Sequence, residues 1–179
     1  MPLSYRVFDT PIGYGGIAWD ACGVVGLQLP EPDAARVRAR LRRRFPDSLD
    51  REPPPEIVRA IEGIRALLNG APVDLSDVRL NMDAVEPFEQ RVYEVARTIP
   101  AGHTLTYGEI ATRLGDRLLA RDVGQALGRN PFPIVVPCHR VLAASGKLGG
   151  FSAPGGVATK RRLLEIEQAN VSWQLSLGV

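Results

Sequence analysis

Apolar and polar positions alternate with a two-residue period at the start of the chain. Tyr5-Arg6-Val7-Phe8, Gly16-Ile17-Ala18-Trp19 and Val24-Val25-Gly26-Leu27-Gln28-Leu29 read as strands. Thr10-Pro11-Ile12-Gly13 and Asp20-Ala21-Cys22-Gly23 carry the residue types that favour turns, so residues 4–29 predict an antiparallel meander. The period then lengthens. Ala34, Val37, Leu41 and Phe45 recur at helical spacing, with Arg36, Arg38, Arg40, Arg42, Arg43 and Arg44 between them. We read these arginines as the solvated face of an amphipathic helix in preference to a nucleic-acid patch. Pro46 and Pro53-Pro54-Pro55 break the chain, and Glu56 to Leu68 forms a second amphipathic helix (Ile57, Ile61, Ile64, Leu67, Leu68) closed by Asn69-Gly70. Residues 74–82 offer a further short strand. Strands and helices in this order predict a small α+β domain over residues 1–82, in which nothing looks chemical.

From there the pattern is helical. Pro87 to Thr98 places Phe88, Val92, Val95 and Ala96 on one face, and Ile99-Pro100-Ala101-Gly102 stops it. Thr106-Tyr107-Gly108-Glu109 has the spacing of a capping box and opens a short helix to Leu114, with Ile110, Ala111 and Leu114 inward and Gly115 at its end. Arg121 to Gly128 is another short helix, and the two suggest a helix-turn-helix. Gly124, Ala126 and Gly128 leave the second helix nearly smooth, with Arg121 its one long side chain, a profile that suits a minor groove. The Gly-rich loop from Gly146 to Gly156 lacks the lysine-serine ending of a phosphate-cradling loop. A last helix from Val157 to Ala169 buries Leu163, Leu164 and Ile166 and carries Glu167 near its end. Residues 83–171 therefore read as a mainly helical second domain, and residues 172–179 as a tail.

Composition narrows the picture. The 179 residues suffice for one ordinary domain or two small ones. No apolar run approaches the roughly 18 to 20 residues of a membrane span. The first residues show no signal-peptide pattern, and two cysteines suit a reducing compartment, so a cytoplasmic protein without membrane partners is expected. Net charge is only +2. Residues Arg113 to Arg162, however, hold nine Lys or Arg against Asp116 and Asp122, which points to an anionic partner there.

One of two cysteines and one of two histidines stand side by side at Cys138-His139 within that basic segment. A thiolate is a strong nucleophile, an imidazole can take the thiol proton, and a carboxylate on the other ring nitrogen would stabilise the imidazolium. Glu167 is the candidate for that carboxylate. A buried structural cysteine is the alternative for Cys138. Cys22 has no nearby His or second Cys, and we read it as structural, with no metal site.

Pro137-Cys138-His139-Arg140, preceded by Asn130-Pro131 and by Tyr107-Gly108-Glu109-Ile110-Ala111, resembles the O6-alkylguanine-DNA alkyltransferase family (methylated-DNA–protein-cysteine methyltransferases) in its bacterial form. The likeness runs over residues 85–168, including Arg121-Asp122-Val123-Gly124 and Lys160…Leu163-Leu164…Glu167, and Asp9-Thr10-Pro11-Ile12-Gly13 resembles the family's first domain. The resemblance implies a ribonuclease-H-like first domain and a second domain with the helix-turn-helix. It also implies a monomer acting on double-stranded DNA that carries alkylated guanine, with no cofactor and no metal. Cys138 would take the alkyl group from the guanine oxygen once and irreversibly, with O4-alkylthymine left open as a second substrate. His139 would be the base through a water, oriented by Glu167. Tyr107 would bond the flipped guanine, Arg121 would fill the vacated stack, and Asn130 would tie the helix-turn-helix to the active-site strand. Ser152 and the carbonyls of Cys138 and Val141 would meet the base edges. Gly124, Ala126, Leu127, Pro133, Arg140 and Phe151 complete the implied substrate and DNA surface. Phe151 departs from the family's usual Tyr, the loop Ser152 to Gly156 is two residues longer than the common form, and Asp122 puts a negative charge beside Arg121. A non-catalytic lesion binder, a transcriptional regulator and a cysteine hydrolase are the competing readings.

Overall fold

Three N-terminal strands pair antiparallel: β1 (Ser4–Thr10), β2 (Gly13–Trp19) and β3 (Val24–Glu31), with Tyr5 opposite Ala18 and Ile17 opposite Leu27. This structure, a computed structural model, describes residues 2–170, so the predicted 172–179 tail lies outside the described residues. Helix α1 (Ala34–Arg44) lies on the sheet through Val37 and Leu41, which cluster with Tyr5 and Ala18. Gly16 permits that approach, because a Cβ there would stand 2.6 Å from Leu41 Cδ1. Burying such apolar side chains contributes roughly 1.5 to 3 kcal/mol each. Strand β4 (Leu49–Asp50) adds to β1 in parallel and gives the order β3-β2-β1-β4; at two residues it is too short for alternation to announce it.

Helix α2 (Pro55–Leu68) forms as predicted, with Asn69 at its C-cap. Residues 74–82 do not form the expected strand. A single bridge joins Val24 to Leu80, while the Asp74 and Asn81 side chains accept from the backbone N–H of Ser76 and Asp83, capturing donors a ladder would need. The arginine face of α1 is partly engaged: Arg40 pairs with Glu31 at 2.6 Å and Arg38 with Asp50 at 3.7 Å, while Arg44 donates to the carbonyls of Leu27 and Pro131.

Gly13 sits at φ +131, and a Cβ there would lie 2.6 Å from the Glu31 carbonyl oxygen. Gly13→Ala is therefore expected to cost about 1 to 3 kcal/mol. A urea midpoint equal to wild type would refute this reading of the turn.

The second set of elements comprises α3 (Pro87–Arg97), β5 (Leu105–Thr106), α4 (Tyr107–Arg113), α5 (Ala120–Gly128), β6 (Val141–Leu142) and α6 (Gly156–Ile166). A 3-10 turn over Arg117–Leu119 precedes α5, and another over Cys138–Arg140 precedes β6. Strand β5 pairs in parallel with β6. The capping box at Thr106 and Glu109 is formed in both directions. Val92, Tyr93 and Ala96 of α3 are buried, whereas Phe88 and Val95 are half-buried; in α6 Leu163 and Leu164 are buried and Ile166 is only half so. The fold is mixed α/β. It divides into two compact units, residues 1–84 with 131–135, and residues 85–130 with 136 onward. No helix among the described residues is long and apolar enough to cross a membrane.

Candidate active site

Everything chemical in the second unit converges on the 3-10 turn Cys138–Arg140. Pro137 opens it and has no N–H to donate; its carbonyl accepts from Arg140 N at 2.9 Å, and Cys138 N donates to the Val136 carbonyl at 2.8 Å. The Asn130 side-chain amide donates to that same Val136 carbonyl at 2.8 Å, tying the residues just after α5 to the segment that leads into the nucleophile's turn. A few residues upstream Ile134 holds φ +77, an unfavourable conformation for a β-branched side chain that the surrounding structure must impose.

His139 and Arg140 share one carboxylate. His139 Nε2 lies 2.7 Å from Glu167 Oε1. Arg140 donates through Nε to Glu167 Oε2 and through Nη2 to Oε1, each at 2.9 Å, and through Nη1 to the Ile99 carbonyl at 2.5 Å. Burial alone would raise the Glu167 carboxyl, but the hydrogen bonds and charges of His139 and Arg140 pull it down to about 2. Burial lowers the His139 pKa against the pull of Glu167, while His139 and Arg140 together keep the Glu167 carboxylate ionised. With Nε2–H donating to Glu167, the lone pair stays on Nδ1, which is buried and has no hydrogen-bond partner among the described residues.

Cys138 is 9% exposed. Burial pushes its thiol above the ordinary value, and a hydrogen bond from Asn130 and the charge of Lys160 act in the opposite direction. Tyr107, the first residue of α4, is half-buried, with Gly124 of α5 and Gly149 of the loop beside its ring. Burial and then Cys138 raise the Tyr107 phenol. Here, then, are a thiol, a base with an open lone pair, and a carboxylate holding that base: the arrangement of a nucleophile that is activated on demand.

Helix α5 turns Val123, Ala126 and Leu127 inward and leaves Arg121, Asp122, Gln125 and Gly128 exposed. Tyr93, fully buried on α3, donates to the Ala126 carbonyl at 2.9 Å and fixes this orientation. Ala126 and Leu127, expected on the DNA face, lie on the inward side of the helix, 0% and 5% exposed. Arg140, expected on the substrate and DNA surface, is 6% exposed, and its donors are taken by Glu167 and Ile99. The Val141 carbonyl accepts from Lys160 Nζ at 2.6 Å, and the Ser152 hydroxyl donates to the Gly128 carbonyl at 2.8 Å. Phe151 is half-buried with its ring facing Lys160, and Pro133 is half-buried in the 131–135 segment of the first unit. Cys22 is exposed in the β2–β3 turn.

Residues 87–169 match the family described as 6-O-methylguanine DNA methyltransferase, DNA binding domain. Over 175 residues the chain is 37% identical to the methylated-DNA–protein-cysteine methyltransferase of Mycobacterium tuberculosis, covering 98% of each chain. The chain belongs to the methylated-DNA–protein-cysteine methyltransferase family. A second relative of that name, from Methanothermobacter thermautotrophicus, is 42% identical over 127 residues, which are 71% of this chain and 70% of that one. The crystal structure of the M. tuberculosis O6-methylguanine methyltransferase superposes with a TM-score of 0.73 at 37% identity, covering 98% of both chains. That of the M. tuberculosis protein in complex with DNA gives 0.70 at 36% identity, covering 98% of this chain and 99% of that one.

Two buried residues of this candidate site escaped the reading of the sequence. Tyr93 occupied an inward helical position but sat beside apolar neighbours that drew the assignment. Lys160 was counted as one more cation of the basic segment, yet it is 0% exposed and donates to the Val141 carbonyl at the end of the turn that carries Cys138. Its position three residues before Leu163 on the face of α6 that points inward was the available signal.

Proposed function

We propose that this protein repairs alkylated DNA by moving the alkyl group of O6-alkylguanine onto Cys138, once per chain. The buried pair of His139 and Glu167 beside Cys138, with His139 Nδ1 left open, is the observation that carries the proposal. The thiol proton passes through a water to His139 Nδ1, and Glu167 stabilises the imidazolium. The sulfur then attacks the alkyl carbon, an S–C bond forms, and the C–O bond breaks. Its electron pair goes to the guanine, which takes up a proton as it leaves. No bond in the product is labile, so the protein is consumed.

A guanine inside a duplex is out of reach of a buried sulfur, and the nucleotide must be flipped out. Helices α4 and α5 serve as the helix-turn-helix, with the smooth exposed strip at Gly128 entering the minor groove and Arg121 filling the vacancy. The exposure of Arg121 supports this role, and so does the DNA complex of the M. tuberculosis relative. Tyr107 binds the flipped base. Asn130 keeps Cys138 in register with α5. The first unit acts as a ribonuclease-H-like domain, and the protein works as a monomer.

The test is stoichiometry. A fixed amount of protein mixed with a large excess of duplex carrying O6-methylguanine should repair one guanine per chain and stop. Continued turnover, or tight binding with no repair, would overturn the proposal, and the second outcome would favour a lesion binder.

A further inference from the structure

Lys160 is 0% exposed, and no carboxylate pairs with it among the described residues. Its Nζ donates to the Val141 carbonyl at 2.6 Å, just after the turn that carries Cys138. The ammonium also lies 5.8 Å from the centre of the Tyr107 ring and 6.0 Å from that of Phe151. One carbonyl and two ring faces are poor compensation for taking an ammonium out of water, since isolated buried charges are costly unless paired. The Glu167 carboxylate, on the same helix, is already held by His139 and Arg140. The carbonyl that holds Lys160 belongs to Val141, the residue that caps the 3-10 turn opened by Cys138.

We propose that Lys160 is a positioning residue for the nucleophile: its ammonium, tethered to the Val141 carbonyl and roofed by Tyr107 and Phe151, provides the positive charge that stabilises the Cys138 thiolate as it forms. In the free protein the cation waits without a counter-ion. When the sulfur loses its proton to His139, the pair becomes thiolate and ammonium, and the cost of burying each falls. The electrostatics run the same way. Burial draws Lys160 down to about 8 and Cys138 draws it back up, while Lys160 in turn lowers Cys138. Tyr107 from α4, Tyr93 from α3 and His139 from the turn interact electrostatically with the pair, while Arg140 of the turn and Glu167 at the end of α6 are bonded to each other. Of these only Arg140 is a second cation, and its charge is spent on Glu167. Phe151 has no hydroxyl to accept from the ammonium and offers it only a ring face.

The proposal rests on Cys138 being the alkyl acceptor, and its test uses no DNA. Iodoacetamide is reacted with wild type, Lys160→Met and Lys160→Arg over a range of pH, following the peptide that contains Cys138. The pH of half-maximal rate should rise by more than one unit in Lys160→Met, a loss of about tenfold at neutral pH, and Lys160→Arg should recover most of it. A folded Lys160→Met with the wild-type profile would overturn the proposal. Should Lys160→Met not fold, the reciprocal titration decides. The Lys160 amine, followed by NMR, should lose its proton at lower pH in Cys138→Ala than in wild type, and an unchanged titration would overturn the proposal. A shifted thiol profile in a protein that accepts no methyl from DNA would sink the proposed function and leave this inference standing.

Discussion

Glu167→Ala should lower stability by about 3 to 5 kcal/mol, because it strands the buried Arg140 guanidinium without its counter-charge. Alkyl transfer should slow by roughly 100-fold or more, since the imidazole loses both its orientation and the charge that stabilises its protonated form. Glu167→Gln separates the two effects. It keeps the volume and one acceptor, so the fold suffers less, while the imidazolium is still unsupported. The sign of the pH dependence follows from the depressed carboxyl. A group held at about 2 in the folded chain, against about 4.3 unfolded, contributes stability that is fully present above the unfolded value. That stability is lost as pH falls through the folded one. Thermal melts of wild type and Glu167→Gln should therefore differ by a constant margin from pH 6 to 8 and converge in acid. Parallel melting curves down to the most acid point would show that the carboxylate is not what holds this corner of the fold.

The sequence makes the local elements easy to read and the burial of charge hard. Alternation from Tyr5 to Leu29 and the Thr106–Glu109 capping box depend on near neighbours, and both form in the structure. Glu167 is chosen from its place on the last helix, and the structure puts it on His139 at 2.7 Å. The burial of Arg140 and Lys160 was not legible for a common reason. Spacing identifies a helix face or a motif, but it does not say whether a long cation reaches solvent or folds back onto a carboxylate or a carbonyl. Ala126 and Leu127 mislead in the same way, since a short helix of small residues shows too little amphipathic contrast to tell its inner face from its outer one until Tyr93 fixes it. The strand expected over residues 74–82 fails because Asp74 and Asn81 capture backbone donors, a competition visible only in coordinates.

Cys138→Ala should abolish transfer outright. The loss of one buried sulfur costs the fold little, about 1 kcal/mol. Because the exposed face of α5 is untouched, binding of the methylated duplex should persist. That combination, full binding with no transfer, distinguishes a missing nucleophile from a damaged fold.

The most direct measurement of the central claim is the mass of the Asn130–Arg140 peptide after wild type is incubated with duplex carrying O6-methylguanine. The peptide should gain one methyl group in place of the thiol hydrogen, and no other peptide should change. An unmodified Asn130–Arg140 peptide beside repaired DNA, or a methyl group on Cys22, would contradict the account.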